Sequence, residues 1–342
     1  MRKALGNCFL NSSPHGTGSQ FDTPKILLIG SLTIVSYPST AYIPFFVNIQ
    51  AYLDQQRKRV DQFLERSVPL PSVHPQRLYE SMRYSLLGGG KRIRPILTIA
   101  AAQALGYDGD ALLPFAASLE FIHTYSLIHD DLPAMDDDDY RRGRLTNHKV
   151  FGDGMAILAG DALLTMAFEL CSRGDGRDGF SAAQQLDIVR ELSLGSGRQG
   201  MVGGQVMDIQ AENQEIDLAH LQQIHTFKTG RLIRAAVRIG SIIGEATTEQ
   251  MQCLTDYSED IGLAFQIADD VLDMVGTREE LGKDAGTDEK RGKQTYPSFF
   301  GVEGARQLGE ECVQRAITRL NTFDNQADPL RHIATYVMAR RS

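Results

Sequence analysis

The chain has 342 residues, 42% of them hydrophobic and 23% charged, with a net charge of −8. That is ordinary globular composition and enough length to bury a sizeable core, and the acidic balance argues against broad attraction to nucleic acid. Four cysteines, Cys8, Cys171, Cys253 and Cys312, lie far apart with no CxxC pair, which argues against a zinc knuckle or a disulfide framework and makes the reducing cytoplasm the expected location.

No charged residue occurs between Lys25 and Asp54, and the apolar stretch there is broken by Pro38, Pro44 and several Ser and Thr. A membrane anchor needs ~20 mostly apolar residues, and the charged start is long for a secretory signal. A flexible extension or a translation start assigned too far upstream fits residues 1–47 better; organelle targeting and membrane association through them stay open. The expected main domain is 48–342.

From about Ala51 the spacing turns helical. Leu53, Val60, Phe63 and Leu64 fall on one helix face with charges between them. Helical patterns continue over 96–102, 111–128, 156–170, 182–192, 218–243 and 248–274. Several are apolar on more than one face, which marks buried helices. Gly- and Asp-rich punctuation separates them at 88–90, 106–110 and 172–180, and no alternating strand pairs with Asn-Gly turns occur. The pattern predicts an all-α fold, a single large bundle with its site in a central cavity.

Three features carry chemistry, taken in chain order. Gly88-Gly89-Gly90-Lys91-Arg92-Ile93-Arg94 places three cations after an unhindered backbone that a ligand can approach closely. It is not a P-loop, because the GxxxxGK[ST] spacing is absent. Next, Asp130-Asp131 and Asp136 bracket Pro133 and are followed by Arg141-Arg142. Asp130 and Asp136 lie ~120° out of alignment on a straight helix, so converging them requires the helix to bend or end at the proline. Last, Asp269, Asp270 and Asp273 follow another apolar run. Asp269 and Asp273 stack on one helix face, where like charges repel unless a cation intervenes. Oxygen-only ligands suit Mg²⁺, which binds through a few carboxylates plus substrate phosphates. Two such clusters suggest a diphosphate clamped between them. Between the second and third features, Phe227-Lys228-Thr229-Gly230 interrupts a long helix. A kink there would turn Lys228, the Thr229 hydroxyl and freed carbonyls toward the core.

The ordered set Gly-Gly-Lys-Arg-Ile-Arg-Pro, Asp-Asp-x4-Asp with Arg-Arg behind it, Lys-Thr-Gly, and Gln-x2-Asp-Asp-x2-Asp resembles the trans-isoprenyl diphosphate synthases, from about residue 48 to the C-terminus. The resemblance implies that Asp130, Asp131, Asp136, Asp269, Asp270 and Asp273 hold Mg²⁺ on an allylic diphosphate. It implies that Lys91, Arg94, His123 and Arg142 bind isopentenyl diphosphate. Arg141, Lys228 and Lys283 match contacts to the allylic diphosphate, and Thr229 and Gln266 match the pair near the carbocation. Lys293 falls in a C-terminal basic loop that helps close the site. No motif residue is missing, so an active enzyme, working by ionisation, condensation and elimination, is expected, and the family implies a homodimer.

The wall that sets product length lies, in this family, just before the first aspartate motif, here Tyr125 and Ser126. Tyr125 is five residues before Asp130, and an aromatic ring there resembles the bacterial farnesyl type more than the geranylgeranyl type. The expected product is farnesyl diphosphate, with geranylgeranyl diphosphate as the alternative. A non-catalytic subunit of a heteromeric synthase would have lost an aspartate motif. A terpene cyclase would not need the Gly-Gly-Lys-Arg-x-Arg site.

Overall fold

The computed structural model describes residues 48–172, 179–275 and 293–339. The extension 1–47 and Lys283 lie outside the described residues. Asn48 caps the first helix, α1 (Ile49–Ser67), by accepting from the Gln50 and Ala51 amides, and Leu53, Val60 and Leu64 form its buried stripe while Phe63 is partly buried. There follow α2 (Gln76–Leu86), α3 (Ile93–Gln103) and α4 (Leu113–Asp130), then α5 (Asn147–Phe151), α6 (Asp153–Ser172) and α7 (Ala182–Ser196). The chain continues through α8 (Met201–Ala211), α9 (Leu218–His225), α10 (Arg231–Ile243) and α11 (Thr248–Val275), and closes with α12 (Tyr296–Arg319) and α13 (Asp328–Ala339).

The helices that carry the motifs are the buried ones. On α4, Phe121, Leu119, Ile122 and Ile128 are buried and point to more than one neighbour. This helix packs on α6 and α3; α10 packs on α3, α7 and α11; α11 packs on α12. Burying one Leu or Ile side chain contributes roughly 1.5–3 kcal/mol, so these seams hold the site's frame. Close approach of α10 to α3 depends on Gly240, where a Cβ would run into the Thr98 carbonyl; Thr98 Oγ1 donates to the Ala236 carbonyl across the same seam at 2.9 Å.

The interruption expected at 227–230 within the helical stretch 218–243 takes the form of a π-helical turn, Thr226–Gly230. One local feature departs from the sequence expectation. Short strands Tyr140–Arg141 (β1) and Arg144–Leu145 (β2) pair antiparallel, Tyr140 opposite Leu145. The turn between them has positive φ at both Arg142 (53°) and Gly143 (73°). That is the geometry of a tight hairpin turn usually served by Asn-Gly. Two-residue strands carry no alternation to read, which is why the hairpin is invisible in the sequence.

Candidate active site

Between α3, α4, α8, the π turn, α11 and the hairpin lies a cavity of ≈ 1030 Å³. Asp130 from α4 and Asp269 from α11 both line it, as do Lys91, Arg94, His123, Tyr125 and Ser126. Arg141, Arg142, Lys228, Thr229 and Gln266 complete the predicted residues on its wall.

The first aspartate motif has the distorted helix end its proline requires. The α-helix stops at Asp130, and the chain folds back so that the Asp136 amide donates to the Asp130 carbonyl at 2.8 Å and the Asp137 amide to the Leu132 carbonyl at 3.1 Å. The Asp130 carboxyl is pushed up to about 6, by burial first and by the neighbouring Asp136 and Asp131 charges, against the opposing pull of Lys228 and Arg141. It is a carboxylate short of positive charge. Asp131 differs: buried, it accepts from Arg141 Nε and Nη2, both at 2.6 Å, and lies off the main cavity. The motif's second carboxylate is thus already partnered, and Arg141 is held in place by it.

The second motif divides in the same way. Asp269 faces the cavity, while Asp270 accepts the Tyr296 amide at 2.9 Å and so anchors the first residue of α12 to α11. The His225 ring lies 3.9 Å from the other Asp270 oxygen. Burial pushes His225 down to about 4 against the opposing pull of Asp208, and Lys228 and Lys293 lower it further, so it is neutral at physiological pH. Asp273 is buried on α11. Among the described residues, no three acidic, His or Cys side chains converge into a ready-made metal cage. The donor set still fits Mg²⁺, since it is oxygen-only, sits on two helices and contains a charge-frustrated carboxylate, and this ion takes part of its shell from water and phosphate.

The three cations of the glycine-rich turn have different fates. All three border the cavity, but Arg92 is committed elsewhere. Arg92, in a left-handed conformation (φ 54°), turns into the core and pairs with Glu120 at 2.6 Å and Asp61 at 2.8 Å while donating to the Leu86 carbonyl. The glycines serve Arg142: its Nη1 donates to the Gly89 carbonyl, and a Cβ on Gly90 (φ +141°) would sit 2.9 Å from its guanidinium. Beside them His123 is held well below the usual imidazole range by burial, with Arg94, Arg142, Arg141 and Arg92 adding to the effect. It is a neutral hydrogen-bonding group in a field of arginines.

The π turn presents Lys228 and Thr229 to the cavity. Close packing at two glycines positions it. A Cβ on Gly204 of α8 would collide with the Lys228 backbone, and one on Gly262 of α11 would meet the Gly230 Cα at 3.2 Å. One oxygen of Asp208 accepts from both Lys228 Nζ and Lys293 Nζ, each at 2.7 Å. Burial works to raise the Asp208 carboxyl, but the two lysines prevail and hold it at about 2. Sequence reasoning missed Asp208; the one available signal was a lone carboxylate in the otherwise uncharged helix Met201–Ala211. Lys293 itself lies off the main cavity, in a space of ≈ 130 Å³ that shares Lys228, Thr229 and Gln266 with it.

Tyr125 is 6% exposed, and its ring meets His129 edge-on, centroids 5.7 Å apart at 77°. His129 is fixed in turn by Nε2 at 3.1 Å from the Ile157 carbonyl and by lying where a Cβ of Gly160 would be. Ser126 donates to the His123 carbonyl at 3.0 Å, within its own helix.

Comparison with known proteins places this cavity in context. Residues 75–331 match the family model described as polyprenyl synthetase. The chain is 41% identical to a farnesyl diphosphate synthase of Geobacillus stearothermophilus, over 86% of this chain and 98% of that one. It is 44% identical to a geranylgeranyl diphosphate synthase of Cyanophora paradoxa, over 86% of this chain and 97% of that one. The crystal structure of an FPP/GFPP synthase from Zymomonas mobilis superposes with a TM-score of 0.76 at 37% identity, covering 85% of this chain and 99% of that one.

Proposed function

The chain belongs to the polyprenyl synthetase family and is a prenyltransferase, and we propose that it condenses isopentenyl diphosphate with dimethylallyl or geranyl diphosphate to make farnesyl diphosphate. The observation that carries the choice of product is the Tyr125 ring, buried on the cavity wall little more than one helical turn before Asp130 and braced by His129. An allylic tail entering from a diphosphate at Asp130 would meet that ring.

In this reading Lys91, Arg94 and Arg142 hold the isopentenyl diphosphate, with neutral His123 donating a hydrogen bond. Arg141 and Lys228 hold the allylic diphosphate, joined by Lys293 and by Lys283, which lies outside the described residues. Asp130, Asp136, Asp269 and Asp273 would hold Mg²⁺, with Asp131 and Asp270 steadying Arg141 and α12 beside them. Mg²⁺ bound there supplies positive charge to the leaving diphosphate. The fixed cations share that task, since they are oriented before the allylic C–O bond breaks. The Thr229 hydroxyl and Gln266 amide oxygens point negative dipole at the carbocation, and Tyr125 and Phe265 help keep water from it. The isopentenyl double bond attacks, and the proton it then loses goes to the departing diphosphate. A homodimer is part of the proposal, and sedimentation equilibrium tests it.

The deciding experiment sizes the prenols released from products made with each allylic substrate and Mg²⁺. The wild type is expected to stop at fifteen carbons and Tyr125→Ala to run on to twenty or more. An active Tyr125→Ala with an unchanged product would refute the wall. A twenty-carbon wild-type product would keep the chemistry and move the reading to geranylgeranyl diphosphate.

A further inference from the structure

Behind the π turn, on the side away from the catalytic cavity, lies a second cavity of ≈ 510 Å³ between α9, α10, α11 and α12. Thr226 and Gly230 of the π turn form part of its wall, and among the described residues Leu263 is its one large apolar side chain. A lining made mostly of charged and polar residues suits a small hydrophilic ligand.

The charges are distributed unevenly. On the α12 side, Arg319 is matched by Asp256 and Asp260, each at 3.6 Å, and Asp260 also binds Arg315 at 2.8 Å. On the α10 side, Arg231, Arg234 and Arg238 follow one another at i, i+3 and i+7, a single helix face where like charges repel. Arg238 has both Nη atoms engaged, by Glu191 and Thr255, each at 2.9 Å. Arg234 reaches only Glu259, at 3.5 Å, a carboxylate that is itself half exposed. Arg231 has no ion-pair partner among the described residues, and its guanidinium rests over the Phe227 ring at 5.4 Å. The Nε atoms of all three are buried without a hydrogen-bond partner, that of Arg234 being the atom nearest Glu259. Burial, with Arg238 and Arg231 adding to it, lowers the Arg234 guanidinium below its usual value, against Glu191 and Glu259. Two under-satisfied guanidinium groups one helical turn apart, opening into a hydrophilic cavity, form a site for an anion rich in acceptor oxygens.

We propose that the cavity behind the π turn binds inorganic diphosphate between Arg231 and Arg234, as a site separate from the catalytic one. The choice of diphosphate among phosphate-type anions rests on the reaction proposed above, which releases it. Because Thr226 and Gly230 wall the site while Lys228 and Thr229 of the same turn line the catalytic cavity, an occupant braces the turn from behind.

The test uses the wild-type protein without magnesium. Arginines are labelled with phenylglyoxal in the presence and absence of inorganic diphosphate and read out peptide by peptide, with exposed Arg306 as the internal control. The expected result is labelling of Arg231 and Arg234 slowed at least fivefold by saturating diphosphate, with Arg306 unchanged. In calorimetry, Arg231→Gln with Arg234→Gln is expected to lose one diphosphate per chain, and Arg231→Lys with Arg234→Lys to keep it. Equal labelling of both arginines with and without diphosphate overturns the site. This readout does not depend on turnover: a protein that protects these arginines yet makes no prenol would overturn the proposed activity and leave the anion site standing.

Discussion

Asp208→Asn removes the charge that gathers Lys228 and Lys293 while keeping the shape of the side chain. The wild-type carboxyl is held at about 2 against an ordinary 3.8. At 1.36 kcal/mol per unit, that preference amounts to about 2 kcal/mol of native stability. The folded-state value is depressed, so the contribution is complete above the unfolded value and is lost as pH falls from about 4 toward 2. The amide forfeits it and also leaves two partly buried ammonium groups facing each other, which brings the expected loss to about 3 kcal/mol, at the low end of the range for breaking one side of a buried ion pair. Lys228 then loses the contact that aims it at the cavity, and kcat is expected to fall roughly tenfold, equivalent to about 1.4 kcal/mol.

The assay is chemical denaturation of wild type and Asp208→Asn at neutral pH and at steps down to pH 2, alongside steady-state kinetics. The stability gap should be widest at neutral pH and close as the wild-type carboxyl takes up its proton. Other carboxylates titrate in the same range, but they do so in both proteins and cancel in the difference. A gap that stays constant from pH 7 to pH 2 would refute the linkage. A variant with undiminished kcat would show that Asp208 competes with the substrate for Lys228 instead of presenting it.

Gly90→Ala puts a methyl group against the Arg142 guanidinium at a φ of +141°; backbone strain of ~1–3 kcal/mol is expected, and the KM for isopentenyl diphosphate should rise while that for the allylic substrate holds. Equal rises in both would point to general disruption. Glu120→Ala removes the buried one of the two carboxylates on the Arg92 guanidinium, leaving Asp61, and should cost about 1.5–3 kcal/mol in denaturant unfolding, whereas Arg92→Met with Glu120→Leu should recover most of it. If the double variant is as unstable as the single one, the ion pair is not the cause.

Helix positions were legible where burial dominates. The runs at 111–128, 156–170 and 248–274 match α4, α6 and α11 to within a few residues because each is apolar on more than one face. By contrast α2 passed unread although Leu78, Met82 and Leu86 keep helical spacing. So did α8, where Gly203 and Gly204 depress intrinsic propensity and are nonetheless retained in the helix, Gly204 because the π turn packs directly on it. The aspartate and basic motifs identified which residues belong at the site but not which face it. Arg92 and Arg94 are two residues apart in one motif and both border the cavity, yet the left-handed backbone at Arg92 commits its guanidinium to Glu120 and Asp61, while Arg94 lies in the first turn of α3. Asp131 and Asp270 occupy motif positions equivalent to their neighbours' in sequence and end up bound to Arg141 and to the Tyr296 amide. Asp208 has no motif at all, because its partners stand 20 and 85 residues away. Spacing within a helix reports which side chains share a face, and a buried charge answers instead to whatever the fold brings within about 3 Å of it. That second relation is set by chain topology, so an ion network such as Lys228–Asp208–Lys293 emerges only once α8, the π turn and the approach to α12 are assembled around one carboxylate.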